Sequence, residues 1–189
     1  MATIRFITSD QLTDIMPINN DVDADTLKKV IHIAQENHIQ NGLGSNLYNH
    51  IKSLIDASTI GDVGNVEYKT LLDDYIIPVL YRYSYHDVLP HLHSQLTDKG
   101  LQSRNSEHST QSDGKTMRNL ENKALNDAEF HENLMIKYIC KQGASKLPEY
   151  FKCDTDDIQP KQDAYFSGIQ FSEGKEKNRI NRNDDIHHI

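Results

Sequence analysis

With 189 residues the chain is long enough for one main core, but a hydrophobic fraction of 37% and a mean hydropathy of −0.67 leave part of it for arm, loop or tail. A net charge of −8 argues against wholesale coating of nucleic acid, and no apolar run of roughly eighteen residues could span a membrane. Cys140 and Cys153, the only cysteines, make neither a disulfide framework nor a zinc site, and Met1–Asp10 lacks the basic and apolar regions of a secretory signal.

In chain order, Thr3–Thr8 reads as a short strand, with Ile4 and Phe6 alternating with Arg5. Ser9 or Asp10 then caps a brief helical turn through Leu12 to Ile15. The acidic, asparagine-rich stretch from Asn19 to Asp25 reads as a turn that caps the next helix. That helix is predicted from about Asp25 to Gln40, with Leu27, Val30, Ile31, Ala34 and His38 on one stripe. Gly42 is expected to break it. A second helix, from near Ser45 to near Ala57, shows Leu47, Tyr48, Ile51, Leu54 and Ile55 on one face. The short corner between the two predicts antiparallel neighbours.

Ser58–Asn65, with Gly61 and Gly64, is a connector. The stretch from Val66 to about Leu96 is the longest apolar-periodic segment. Tyr68, Leu71, Leu72, Tyr75, Ile76, Val79, Leu80 and Tyr83 recur at spacings of three and four. Pro78 predicts a bend or break near residues 74–78 and Pro90 a second bend. Asp98–Lys99–Gly100 stops the helix. Residues 101–114 hold a single leucine and no aromatic residue, so they form a polar loop or hairpin rather than core. A last long helix is predicted from about Lys115 to Gln142, spanning roughly 40 Å. Its stripe holds Met117, Leu120, Ala124, Ala128, His131, Leu134, Met135 and Tyr138. The small Ala124 and Ala128 let another helix approach closely.

After Tyr150–Phe151 the character changes. Residues 151–189 read as an extended C-terminal arm. Tyr165, Phe166, Ile169 and Phe171 form an apolar patch in it, of the kind a partner groove binds; a flap packed on the chain's own domain is the alternative. Lys175, Lys177, Arg179 and Arg182, mixed with acidic neighbours, are candidate contacts to another protein, as is Arg104 in the polar loop. The fold class is therefore mainly α: a small bundle of about four helices with a projecting polar loop at 98–114 and an extended arm. An N-terminal segment, 1–22, precedes the helical domain, 23–150.

No catalytic motif is found. Asn41–Gly42–Leu43–Gly44 lacks the dinucleotide fingerprint and a strand before it. His91 and His93 at i,i+2 point apart on a helix, so zinc binding with His86 is the weaker reading and ordinary histidines the stronger. Asp73–Asp74 are adjacent and cannot face each other across a cleft. Asp154, Asp156 and Asp157 lack the glycine and glutamate of a calcium loop. No enzyme activity, cofactor or metal is expected.

Several segments occur in a familiar order: Ile33–Ala34–Gln35–Glu36–Asn37–His38–Ile39, Leu43–Gly44–Ser45–Asn46–Leu47–Tyr48, Tyr75–Ile76–Ile77–Pro78–Val79–Leu80, Lys99–Gly100 and Leu147–Pro148–Glu149–Tyr150. On these residues the chain, over roughly 25–150, resembles the head-to-tail connector proteins of tailed bacteriophages, specifically the neck ring proteins of the crAss-like and other Bacteroidetes phages. The resemblance implies a non-enzymatic virion subunit at the head–tail junction, assembled in the host cytoplasm. It implies a ring of about twelve copies that meets the portal protein and the next neck or tail protein. Double-stranded DNA would pass through it transiently, and no membrane is involved. The competing readings are a helical interaction or regulatory module and another head-completion or tail-terminator component.

Overall fold

A computed structural model describes residues 4–19, 22–97, 100–103, 114–152 and 158–161. The fold is mainly helical, as the periodicity predicts. Its elements are α1 (Ser9–Ile15), α2 (Ala24–Ala34), a π turn (Gln35–Gln40), α3 (Asn41–Asp56), a 3-10 turn (Val63–Asn65), α4 (Val66–Thr70), a second π turn (Leu71–Ile76), α5 (Ile77–His93), β1 (Ser94–Thr97), β2 (Gly100–Ser103), α6 (Gly114–Gln142) and α7 (Pro148–Phe151). The strands β1 and β2 pair antiparallel, with Ser94 opposite Ser103. The apolar segment therefore stops being helical at His93, short of Leu96, and turns into a ribbon that leads into the polar loop. Residues 104–113 of that loop lie outside the described residues.

The predicted N-terminal strand is not formed. Phe6 and Ile7, neighbours in sequence, are both buried, which strand alternation forbids. A side chain replaces the missing strand partner: the Phe6 amide donates to Gln35 Oε1 at 2.9 Å, and Gln35 Nε2 donates to the Ile4 carbonyl at 3.0 Å. Gln35 Nε2 also reaches Tyr48 Oη at 2.9 Å, so one buried amide ties the N-terminal residues to α3. The cap of α1 is Thr8, one residue before the expected one. It forms a reciprocal pair with Gln11, each side chain accepting from the other's backbone amide. Asp23 caps α2 as the acidic turn predicts, and its hydrogen bonds with Thr26 hold its carboxyl below the usual range.

Gly42 does not break the helix predicted to begin at about Asp25. It is helical and buried, and a Cβ there would sit 3.2 Å from Met135 Cε of α6. The break falls two residues later, at Gly44, with φ 74° and ψ 159°. A single non-helical residue redirects the chain without the loop that an antiparallel pair needs. Accordingly α2 packs mainly against α5, while α3 packs against α7, α6 and the first π turn, so the expected antiparallel pairing of the two is not their main contact.

Pro78 does not break the helix. The π turn over Leu71–Ile76 comes immediately before it, and α5 runs on from Ile77 through Pro90 to His93. Proline cannot donate to the carbonyl four residues back and its ring crowds that group. Widening the preceding turn lets the ladder skip one residue. Arg82 Nη1 also donates to the Pro78 carbonyl at 2.7 Å.

The core is continuous across α1, α2, α3, the second π turn, α5 and α6. Leu12, Ile31, Leu47, Ile51, Leu71, Ile76 and Leu80 are fully buried in it. Burying side chains of this size contributes roughly 1.5–3 kcal/mol each. The most extensive pairing is α5 with α6. Ala124 and Ala128 are buried there, as their small size predicts. The α6 stripe is rotated from the expected one, however. Met135 is buried as expected, but so are Glu132, Ile136 and Ile139 outside the expected stripe, whereas Leu120 and Leu134 sit at the edge, partly exposed.

Candidate docking site at the root of the C-terminal segment

Residues 158–161, the last ones described, lie as a strap across the start of α3. The Ser45 amide donates to the Ile158 carbonyl at 3.0 Å, and the Lys161 amide to the Asn41 carbonyl at 3.1 Å. Tyr150 Oη donates to the Lys161 carbonyl at 3.1 Å. Gly44 is the seat: a Cβ there would meet Pro160 Cδ at 2.8 Å and Pro160 N at 2.9 Å. Nearby, Asn46 Nδ2 donates to the Lys152 carbonyl at 2.9 Å.

The strap ends in a charged anchor. Lys161 Nζ lies 3.0 Å from Glu132 Oε2, and Tyr83 Oη donates to the same oxygen at 2.6 Å. The Glu132 residue is only 4% exposed. A carboxylate this deep needs partners, and the strap supplies the cationic one. Burial, and then the Glu132 carboxylate, push the Tyr83 phenol up, which keeps it a hydrogen-bond donor.

The polar network continues on the other side of Tyr83. Its ring stacks on His38 with centroids 3.8 Å apart and planes 2° from parallel. His38 Nε2 lies 3.4 Å from Asp87 Oδ2, and His86 Nδ1 lies 2.8 Å from Asp87 Oδ1. Burial alone would push the Asp87 carboxyl up. Hydrogen bonds from His38 and His86 outweigh it and hold the group below its ordinary value of 3.8. A depressed folded-state value means stability that is present above that ordinary value and lost as pH falls below it. The expected result is a urea midpoint that drops in wild type between about pH 4 and pH 2, with a shallower drop in Asp87→Asn. Parallel slopes in the two proteins would contradict it.

The structure places the sequence-derived candidates as follows. Asp73 pairs with Lys69 at 2.7 Å on an exposed turn, in keeping with a solvated carboxylate. His86 is held by Asp87, and among the described residues no three histidine, cysteine, aspartate or glutamate side chains are grouped to hold a metal ion. The candidate partner contacts Arg104, Tyr165, Phe166, Ile169, Phe171, Lys175, Lys177, Arg179 and Arg182 all lie outside the described residues. Sequence reasoning missed Gly44, Glu132 and Lys161 as a unit. One signal was present: Glu132 continues the buried four-residue spacing of Ala124 and Ala128, where a carboxylate is out of place without a partner.

A groove of about 400 Å³ opens on the other side of the α5–α6 pair, under the end of α1. Ile15, Met16, Pro17, Tyr85, Leu120 and Ala124 line it, with Arg82, Lys123 and Asp127 among them. Ile15 is 57% and Leu120 39% exposed. Arg82 is half-buried, and its loss of solvation makes its charge less favourable. Among the described residues it has no carboxylate in ion-pair contact; its charge faces Asp127 only at longer range.

Fold and site thus define a small helical domain that fixes the start of a C-terminal segment on its surface. The chain belongs to DUF6712, a family of unknown function whose model matches residues 39–159, from the first π turn into the strap. No curated protein and no solved structure matches it.

Proposed function

We propose that the chain is a structural subunit of the neck of a tailed phage, one of about twelve copies in a ring between the portal and the next tail component. The observation that carries this reading is the anchored strap. A ring closes through heterologous contacts, and an extension leaving a rigid body from a fixed point is one way for a subunit to make them. Ile158–Lys161 supply that point, and residues 162–189 follow it. Exposed apolar residues on the outward side of α6, with Phe130 at 60%, suit a contact with another subunit. The segments that carry the resemblance to connector proteins also fall on structural joints. Gln35–Ile39 enter the first π turn, Leu43–Tyr48 span the Gly44 break, and Tyr75–Leu80 join the second π turn to α5. The net charge of −8 suits a channel wall that does not grip DNA phosphates.

The test is the copy number in purified virus particles, by quantitative mass spectrometry against the major capsid protein. A value of roughly a dozen per particle is expected for one ring. Absence from particles would overturn the proposal and leave a helical interaction module as the better account.

A further inference from the structure

We infer that the groove between α1 and the α5–α6 pair is the docking site for residues 164–171 of the chain's own C-terminal segment. Three observations converge on this occupant. The first is chemical. Beyond Lys161 the large apolar side chains cluster in one place, at Tyr165, Phe166, Ile169 and Phe171. The groove offers Ile15, Met16, Pro17, Tyr85 and Leu120, partly exposed and uncovered by any described residue.

The second is charge. Asp163 and Glu173 bracket the apolar cluster, and the groove holds two cations, Arg82 and Lys123, against one carboxylate, Asp127. Arg82 has given up part of its hydration without gaining an ion-pair partner among the described residues. A carboxylate arriving with the segment would supply one, at a site where a charge-assisted bond is stronger than in water.

The third is reach. Lys161 is held at Glu132, and the groove is lined by α6 from Leu120 to Asp127. Lys123 precedes Glu132 by nine positions, or roughly 14 Å along the helix axis. Passing around the outside of α6, about 10–12 Å across, brings the path to somewhat over 20 Å. A fully extended chain from Lys161 to Gln170 spans up to about 30 Å. The segment therefore reaches the groove of its own domain with slack. A tether this short gives an effective concentration in the millimolar range, so the chain's own segment outcompetes a second copy in dilute solution.

Disulfide trapping tests this on the full chain, purified away from particles, so its failure leaves the copy-number test untouched. In a Cys140→Ser, Cys153→Ser background, Lys123→Cys is combined with Gln170→Cys. Both positions are polar in wild type, and Lys123 is exposed. Val63→Cys with Gln170→Cys is the control, because Val63 is 93% exposed and is not part of the groove lining. The expected result under mild oxidation is a closed monomer for the Lys123 pair, formed at least about tenfold faster than for the control and independent of dilution. Adding Phe166→Ala and Ile169→Ala is expected to abolish that excess. Equal rates for the two pairs would overturn the inference. So would disulfide-linked dimers from the Lys123 pair, which would assign the groove to the segment of a second copy.

Discussion

Gly44→Ala is expected to lower stability by about 3 kcal/mol and to release the strap. Two costs add. The backbone at φ 74° and ψ 159° lies in a region open almost exclusively to glycine, and any side chain there costs about 1–3 kcal/mol. The new Cβ would also stand 2.8 Å from Pro160 Cδ, 2.9 Å from Pro160 N and 3.1 Å from the Ile158 carbonyl oxygen. Backbone cannot yield as a flexible side-chain tip does, so the strap must lift. Lifting it breaks the bonds from Ser45 to Ile158 and from Lys161 to Asn41, and strains the Lys161–Glu132 pair. For a domain of this size the loss corresponds to a melting temperature lower by roughly 6–12 °C. Trypsin should also cut after Lys152 and Lys161 sooner than in wild type. Gly61→Ala is the matched control, since a Cβ there meets nothing within 4 Å. Equal melting temperatures and equal cleavage for Gly44→Ala and wild type would show that the strap does not sit on Gly44.

That glycine illustrates what was legible in the sequence. The chain-order pattern of helices was readable because their buried faces repeat at helical spacing; α3 and α6 end within a residue of prediction. Which of two nearby glycines breaks a helix was not readable. Both fit a C-terminal cap locally. The choice is made by tertiary contacts: Gly42 is pressed against Met135, and Gly44 against Pro160, more than a hundred positions on. The same holds for Pro78. Its effect on an isolated helix is a break, but here the chain meets it with a π turn, which leaves no mark in apolar periodicity. The N-terminal strand failed for a related reason. Alternation over Ile4, Arg5 and Phe6 alone is weak, and a glutamine from another element satisfied the backbone instead. The charged anchor was half legible: Glu132 stood out on a buried stripe, while its partner Lys161 lay in a stretch with no periodicity at all.

Glu132→Ala is the second large effect expected, at about 3–4 kcal/mol. The replacement empties a buried position and leaves Tyr83 Oη without the acceptor that now sits at 2.6 Å. It also strips Lys161 of its counter-charge, although that lysine is half-exposed, so its share is the smaller one. The anchor has two separable roles, and a compound variant divides them. Tyr83→Phe with Glu132→Leu removes the orphaned hydroxyl and refills the space, and is expected to recover most of the stability. It gives Lys161 nothing to grip. Urea unfolding should therefore report a near-wild-type domain, while trypsin still cuts at Lys161 as fast as in Glu132→Ala. If the compound variant regained both stability and protection, the ion pair would not be what holds the root. The backbone bonds of Ile158 and Lys161 would then carry the strap alone. If it regained neither, leucine would not fill the space that the Glu132 side chain occupies, because Tyr83→Phe keeps the ring that stacks on His38.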